Sequence, residues 1–230
     1  MMSTGSREHQ VRTAERYFSS FADDYHRAFA GGGRNLLHRV INVLFRRRTF
    51  ERRMKVVAGF LDEFGGVAGK RVLDLGCGSG EVSLMVARLG AHVTGLDVVG
   101  AMIATARRQS VAAGLQDRTE FYVADVTEAP LRHADVTLIV SVCEYYDDVA
   151  PFLSAACEAT AERLVLVDTR GPAWRRALRY LLAALKGLCI HYRTPEEFAA
   201  IVARSGFTET HRVRGHSFWA CAYRRTAPSA

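Results

Sequence analysis

VLDLGCGSG, residues 72–80, and GAHVTGLDVV, residues 90–99, decide how this 230-residue chain is read. Each is a short β-branched run that ends where a helix-length segment begins, and the first closes on glycines at 76, 78 and 80. Glycine at such a turn permits a tight reversal and lets ligand atoms approach the backbone where a Cβ would clash. In open α/β sheets ligands bind beyond the carboxyl ends of the strands, which is where this turn must lie. A dinucleotide fingerprint needs a third glycine at position 81, and Glu81 stands there instead. Asp74, two residues before the first glycine, would crowd a pyrophosphate with like charge but suits an ammonium group.

Working outward, strands are expected at Arg71–Leu75, Ala91–Asp97, Thr119–Ala124, Asp135–Val142 and Arg163–Asp168. Between them lie helices at Gly80–Leu89, Ala101–Ala113, closed by Gly114, and Val149–Thr160. That alternation predicts parallel pairing with right-handed crossovers. Phe207–Val213 and Ser217–Tyr223, joined by Arg214-Gly215-His216, read as an antiparallel hairpin added at the end. The fold class is therefore α/β: a doubly wound, mostly parallel seven-stranded sheet with helices on both faces. Residues 1–66 form a helical N-terminal cap of the same domain, with Leu36, Leu37, Val40, Ile41 and Leu44 at helical spacing. Residues 67–230 form the core, and 172–204 are a helical lid inserted before the hairpin. Within that insertion Thr194, Pro195 and Glu197 spell an N-cap, a first-turn proline and a capping-box acid.

A chain that is 49% hydrophobic can bury one substantial core. Its longest apolar runs are too short to span a bilayer as a helix, and its first dozen residues lack a secretory apolar region, so a cytoplasmic protein is expected. Five scattered cysteines form no CxxC pair, and Cys189 with His191 lacks two further ligands, so no metal is expected. The net charge of +7 is concentrated in FRRRTFERRMK (45–55) and PAWRRALRY (172–180), which suit a solvated surface, nucleic acid, an anionic membrane or an acidic substrate.

The run Asp74-Leu75-Gly76-Cys77-Gly78-Ser79-Gly80 resembles motif I of the class I S-adenosylmethionine-dependent methyltransferases, D-x-G-x-G-x-G. The resemblance implies a cofactor site made of Asp74, Gly76, Gly78 and Gly80. Asp97, at the end of the second strand, matches the acid that binds both ribose hydroxyls; a carboxylate has two acceptor oxygens for two neighbouring donors. An ordinary helix-capping role for Asp97 is compatible with that one. Val98 and Met102 match the apolar positions beside adenine, and Asp125-Val126 the pair that meets the adenine amino group and ring. Tyr25, in AERYFSSFADDYHRAF, fits with Phe21 and Ala22 part of a family pattern that lies over the cofactor. The product of such a reaction is S-adenosylhomocysteine.

After the fourth strand, Ser141 to Asp147 should leave the sheet at the edge of the cofactor site, with Ser141 against it. Nothing there matches D/N-P-P-Y, the pattern of enzymes that methylate nucleic acid bases, so a nucleic acid substrate is not expected despite the charge. The segment is similar to that of small-molecule methyltransferases of the ubiquinone-biosynthesis and magnesium-protoporphyrin types, with Tyr145 in the usual histidine position. A tyrosine there either orients the acceptor by hydrogen bonding or walls the adenosine pocket. His191 and His216 are the candidates for a base. The expectation is methyl transfer to a small hydrophobic or anionic metabolite, most readily at oxygen. An RNA or protein methyltransferase and a non-catalytic S-adenosylmethionine-binding module are the alternatives.

The helix expected from Ala173 to Leu188 carries an apolar stripe of Trp174, Leu178, Leu181, Leu182 and Leu185, with Arg175, Arg176, Arg179 and Lys186 largely off it. Packing of that stripe on the sheet as a lid is the leading expectation, and peripheral membrane contact through residues 172–188 is the runner-up. The sequence is silent on oligomeric state.

Overall fold

The computed structural model describes residues 13, 15–19, 48–185 and 187–226. Helix α1 (Arg48–Glu63) precedes β1 (Arg71–Leu75), α2 (Glu81–Arg88), β2 (His92–Asp97), α3 (Gly100–Ala112), β3 (Thr119–Val123) and β4 (Ala134–Val140). A 3-10 turn (Cys143–Tyr145) leads to α4 (Ala150–Ala159), β5 (Thr160–Thr169), α5 (Ala173–Ala184), α6 (Pro195–Ala203), β6 (Phe207–Arg214) and β7 (Phe218–Arg225). The strand order is β3-β2-β1-β4-β5-β7-β6. The first five strands run parallel, and β7 enters antiparallel between β5 and β6. Order reverses between β1 and β4, so the switch point opens beside the glycine turn.

Alternate residues of each strand serve opposite faces, as the pleat requires. Leu73, Leu75, Ile139, Leu164, Leu166 and Trp219 pack against α4 and α6. Val72, Val136, Leu138, Val165, Val167 and Ala220 pack against α1 and α2. The capping box of α6 forms as its sequence predicts, with Thr194 Oγ1 accepting from Glu197 N–H and the Glu197 carboxylate from Thr194 N–H. Residues 15–19 are helical, and the expected positions Leu36 to Leu44 lie outside the described residues.

The lid expectation needs correcting. Helix α5 turns its apolar stripe outward: Trp174 is 67% exposed, Leu181 58% and Leu185 75%. It also ends at Ala184 rather than Leu188. The reason lies on its inner side, where Arg179 reaches a buried carboxylate and Ala183 packs with Leu188, Ile190, Tyr17, Tyr145 and Tyr192. A cation fixed inward by a buried acid sets the rotation of the helix, and the leucines follow outward.

Candidate active site

Three glycines shape the first turn for three different reasons. All have left-handed φ, +73° at Gly76, +53° at Gly78 and +87° at Gly80. A Cβ on Gly76 would lie 2.5 Å from Val142 Cγ2, so this glycine lets the turn close on the segment after β4. A Cβ on Gly80 would meet Ala106 and Phe121, so this one permits packing against α3 and β3. Around Gly78 nothing among the described residues lies within 4 Å of such a Cβ, which leaves its backbone open to a ligand on that side.

The turn is tied to the end of β2. Gly76 and Cys77 N–H both donate to the Leu96 carbonyl, at 2.8 and 3.0 Å. The Asp97 carboxylate then accepts from Gly78 N–H through Oδ2 and from Val99 N–H through Oδ1, both at 2.9 Å. Val99 is the N-cap of α3, so Asp97 acts two residues earlier, as a clip between two strand ends. A carboxylate offers about four lone-pair sites, so two of them remain for hydroxyl donors. Burial raises the Asp97 carboxyl from its ordinary value, while the two backbone donors oppose that rise.

Asp74 sits beneath the turn and is 1% exposed; its Oδ2 accepts from Ser83 Oγ at 2.6 Å. Burial pushes its carboxyl up to about 7. Val98 and Met102 pack with Val99 and Phe18, and Val126 is buried in the main core. Asp125 Oδ1 accepts from the N–H and the hydroxyl of Thr127, both at 3.0 Å, which pins the loop after β3. Tyr25, Phe21 and Ala22 lie outside the described residues, but Phe18 from the same run packs edge-on to Tyr145 with centroids 5.4 Å apart. The helical stretch 15–19 thus reaches both the Val98–Met102 cluster and the segment after β4.

Ser141 has φ 61°, the one left-handed non-glycine residue among those described. Its Oγ accepts from Arg53 Nη1 at 2.5 Å, and its N–H donates to the Val167 carbonyl. Strain of this kind persists only where surroundings over-determine it, and it gathers at ligand sites. Arg53 comes from the basic run 45–55, so that cluster is not wholly a solvated face.

The charged residues that the sequence did not single out lie beside this serine. Glu144, on the 3-10 turn, has a side chain only 4% exposed, and Arg179 Nη2 donates to its Oε1 at 2.9 Å. Asp168, at the end of β5, is buried, and its carboxyl is pushed up to about 7 by burial, with the Glu144 charge adding to the effect. His191 N–H donates to the Glu144 carbonyl at 2.7 Å, so the structure brings His191 against the turn that carries Tyr145. His216 is exposed on the hairpin turn. A lone acid in an apolar stretch, Glu144 in SVCEYY, was the one available signal for this cluster. Among the described residues no group of three potential metal ligands occurs, and no helix is long and apolar enough to cross a membrane.

Residues 72–164 match the family model described as a methyltransferase domain. Over 104 residues the chain is 36% identical to a ubiquinone biosynthesis O-methyltransferase of Hahella chejuensis, a match covering 45% of this chain and 43% of that one. The chain thus spans less than half the length of the curated relatives it matches. Magnesium protoporphyrin IX methyltransferase from Synechocystis PCC 6803, with bound S-adenosylhomocysteine, superposes with a TM-score of 0.77 at 19% identity, covering 94% of this chain and all of that one. Mitomycin 7-O-methyltransferase superposes with a TM-score of 0.60 at 28% identity, over 71% of this chain and 50% of that one.

Proposed function

We propose that this chain, whose residues 72–164 match a methyltransferase domain, binds S-adenosylmethionine and methylates a small hydrophobic or anionic metabolite, most readily at oxygen. The carrying observation is the Asp97 carboxylate held between Gly78 and Val99 N–H with lone pairs to spare, beside a glycine whose Cβ position is open. Those residues fit the cofactor: Asp97 would take the ribose hydroxyls, and Gly76 and Gly78 would carry backbone against its methionine part. Val98 and Met102 would flank adenine, with Asp125 and Val126 on its polar edge. Bound there, the cofactor supplies a methyl group already activated by its sulfonium, so the chain's main task is alignment.

Tyr145, held between Phe18 and the segment after α5, is placed to orient the acceptor. Ser141, pinned by Arg53, fixes the backbone where that turn leaves β4. Similarity to O-methyltransferases acting in ubiquinone biosynthesis and on mitomycin supports the small-molecule reading over nucleic acid or protein. Calorimetric titration with S-adenosylmethionine and NAD, followed by labelled-methyl transfer to a metabolite panel, tests it. Binding of NAD alone would overturn it.

A second reading concerns where the acceptor is met. The outward stripe of Trp174, Leu178, Leu181, Leu182 and Leu185, with Arg175 beside it, supports peripheral contact with an anionic bilayer. Such helices lie in the interface with the apolar face down and the cations at the headgroups. Cosedimentation with vesicles rich in anionic lipid tests this; protein left in the supernatant overturns it.

A further inference from the structure

Glu144 carries an oxygen that none of the described residues bonds. Its Oε1 is taken by Arg179, whereas Oε2 is buried and has no hydrogen-bond partner among the described residues. A buried carboxylate oxygen left without a donor is costly, and native structures keep such groups chiefly where a ligand or reaction completes them. His191 Nε2 is a second buried polar atom without a hydrogen-bond partner among the described residues, 3.7 Å from Asp147 Oδ1. The two orphaned atoms belong to segments bonded to each other through His191 N–H and the Glu144 carbonyl. Both sit beyond the carboxyl ends of β4 and β5, where an open sheet of this order receives ligands.

We propose that Glu144 is a catalytic residue of this chain, its Oε2 accepting the proton of a hydroxyl on the methyl acceptor, with Arg179 of α5 as the residue that positions it. This deepens the methyl-transfer reading and rests on it. As the acceptor oxygen bonds to the methyl carbon, the carbon–sulfur bond breaks with its electron pair left on sulfur, and the hydroxyl proton passes to Oε2. Atoms and charge balance without a metal or a further reactant. Burial pushes the carboxyl of neighbouring Asp168 up to about 7, and it is Glu144 that Arg179 pairs with, at 2.9 Å.

The substrate class follows from the same charge. A hydroxyl compound enters as a hydrogen-bond donor and satisfies Oε2. A carboxylate acceptor has no proton to give and sets a second negative charge against it. The reacting group is therefore a hydroxyl that is neutral on entry, whatever charge the rest of the molecule carries, and the product is an ether rather than an ester.

The test uses full-length protein saturated with S-adenosylhomocysteine, titrated with catechol, 1,2-dimethoxybenzene and benzoate. The wild type should bind catechol at least tenfold more tightly than either of the others. Glu144→Gln, which presents an amide donor in place of Oε2, should shift preference toward the dimethoxy compound. In turnover with catechol, Glu144→Gln should lower kcat roughly 100-fold with KM within a few-fold, the range of one general base. Arg179→Lys, which keeps the charge, should lose about tenfold. Equal binding of catechol and its ether by the wild type, a preference for benzoate, or wild-type kcat in folded Glu144→Gln overturns the proposal. A wild type that binds no S-adenosylhomocysteine overturns the methyl-transfer reading itself, and this assignment with it.

Discussion

Asp97 Oδ2 lies 2.9 Å from the Gly78 nitrogen, so a single carboxylate joins the loop after β1 to the end of β2. That bond makes the acid a clip for the turn, and the proposed ribose contact would use its remaining lone pairs. Asp97→Ala should therefore cost about 2 to 3 kcal/mol of cofactor affinity, the scale of a lost hydrogen bond to a charged group. Calorimetry on the folded variant measures it, and unchanged affinity removes the ribose assignment.

The glycines separate folding from binding. Gly76→Ala meets Val142 Cγ2 at 2.5 Å as well as an unfavourable φ, and should lose more than about 2 kcal/mol of stability. Gly78→Ala meets only its own φ of +53°, a cost of about 1 kcal/mol, and should fold while binding cofactor poorly. Urea denaturation and cofactor titration on both proteins check the pair. Equal stability loss in the two would show that Val142 gives way.

Asp74 makes a pH prediction with a definite sign. Its carboxyl titrates near 7 when folded and near the ordinary 3.8 when unfolded, so between those values the folded state holds the extra proton. Stability then falls as pH rises from about 4 to 7, by at most ~1.4 kcal/mol per pH unit for the group, and is flat above. Asp168, also raised to about 7, adds a slope of the same sign. Asp74→Asn should flatten the decline by one group's share and leave that of Asp168. An unchanged slope would mean that Asp74 is ionised in the fold.

The glycine turn, Asp97 and the five parallel strands were legible because their signals are local: a β-branched run, a turn that needs positive φ, an acid at a strand end. The Thr194 capping box was legible for the same reason. Glu144, Arg179, Asp168 and Arg53 were not, because their meaning lies in partners as many as 164 residues away along the chain. Periodicity found the apolar stripe of α5 but could not say which way it faces. That direction was set by Arg179, which the sequence reading placed off the stripe with the other cations of the helix.

The orientation of α5 fixes how its arginines divide. Arg179 points in to Glu144 and Arg176 lies over the ring of Tyr192 in the same inner cluster, while Arg175 lies over the ring of the outward Trp174. If the stripe lies on a bilayer, an outer arginine near an anionic surface contributes about 1 kcal/mol. Arg175→Gln should then weaken binding to anionic vesicles roughly fivefold, with binding falling steeply in salt. Trp174→Ala with Leu181→Ala should weaken it on neutral vesicles too, since apolar burial does not depend on lipid charge. Arg179→Gln should leave vesicle binding near wild type and act on turnover instead. Reversal of that division, with Arg179→Gln releasing the protein from vesicles and Arg175→Gln doing nothing, would mean that the helix meets the membrane by another face.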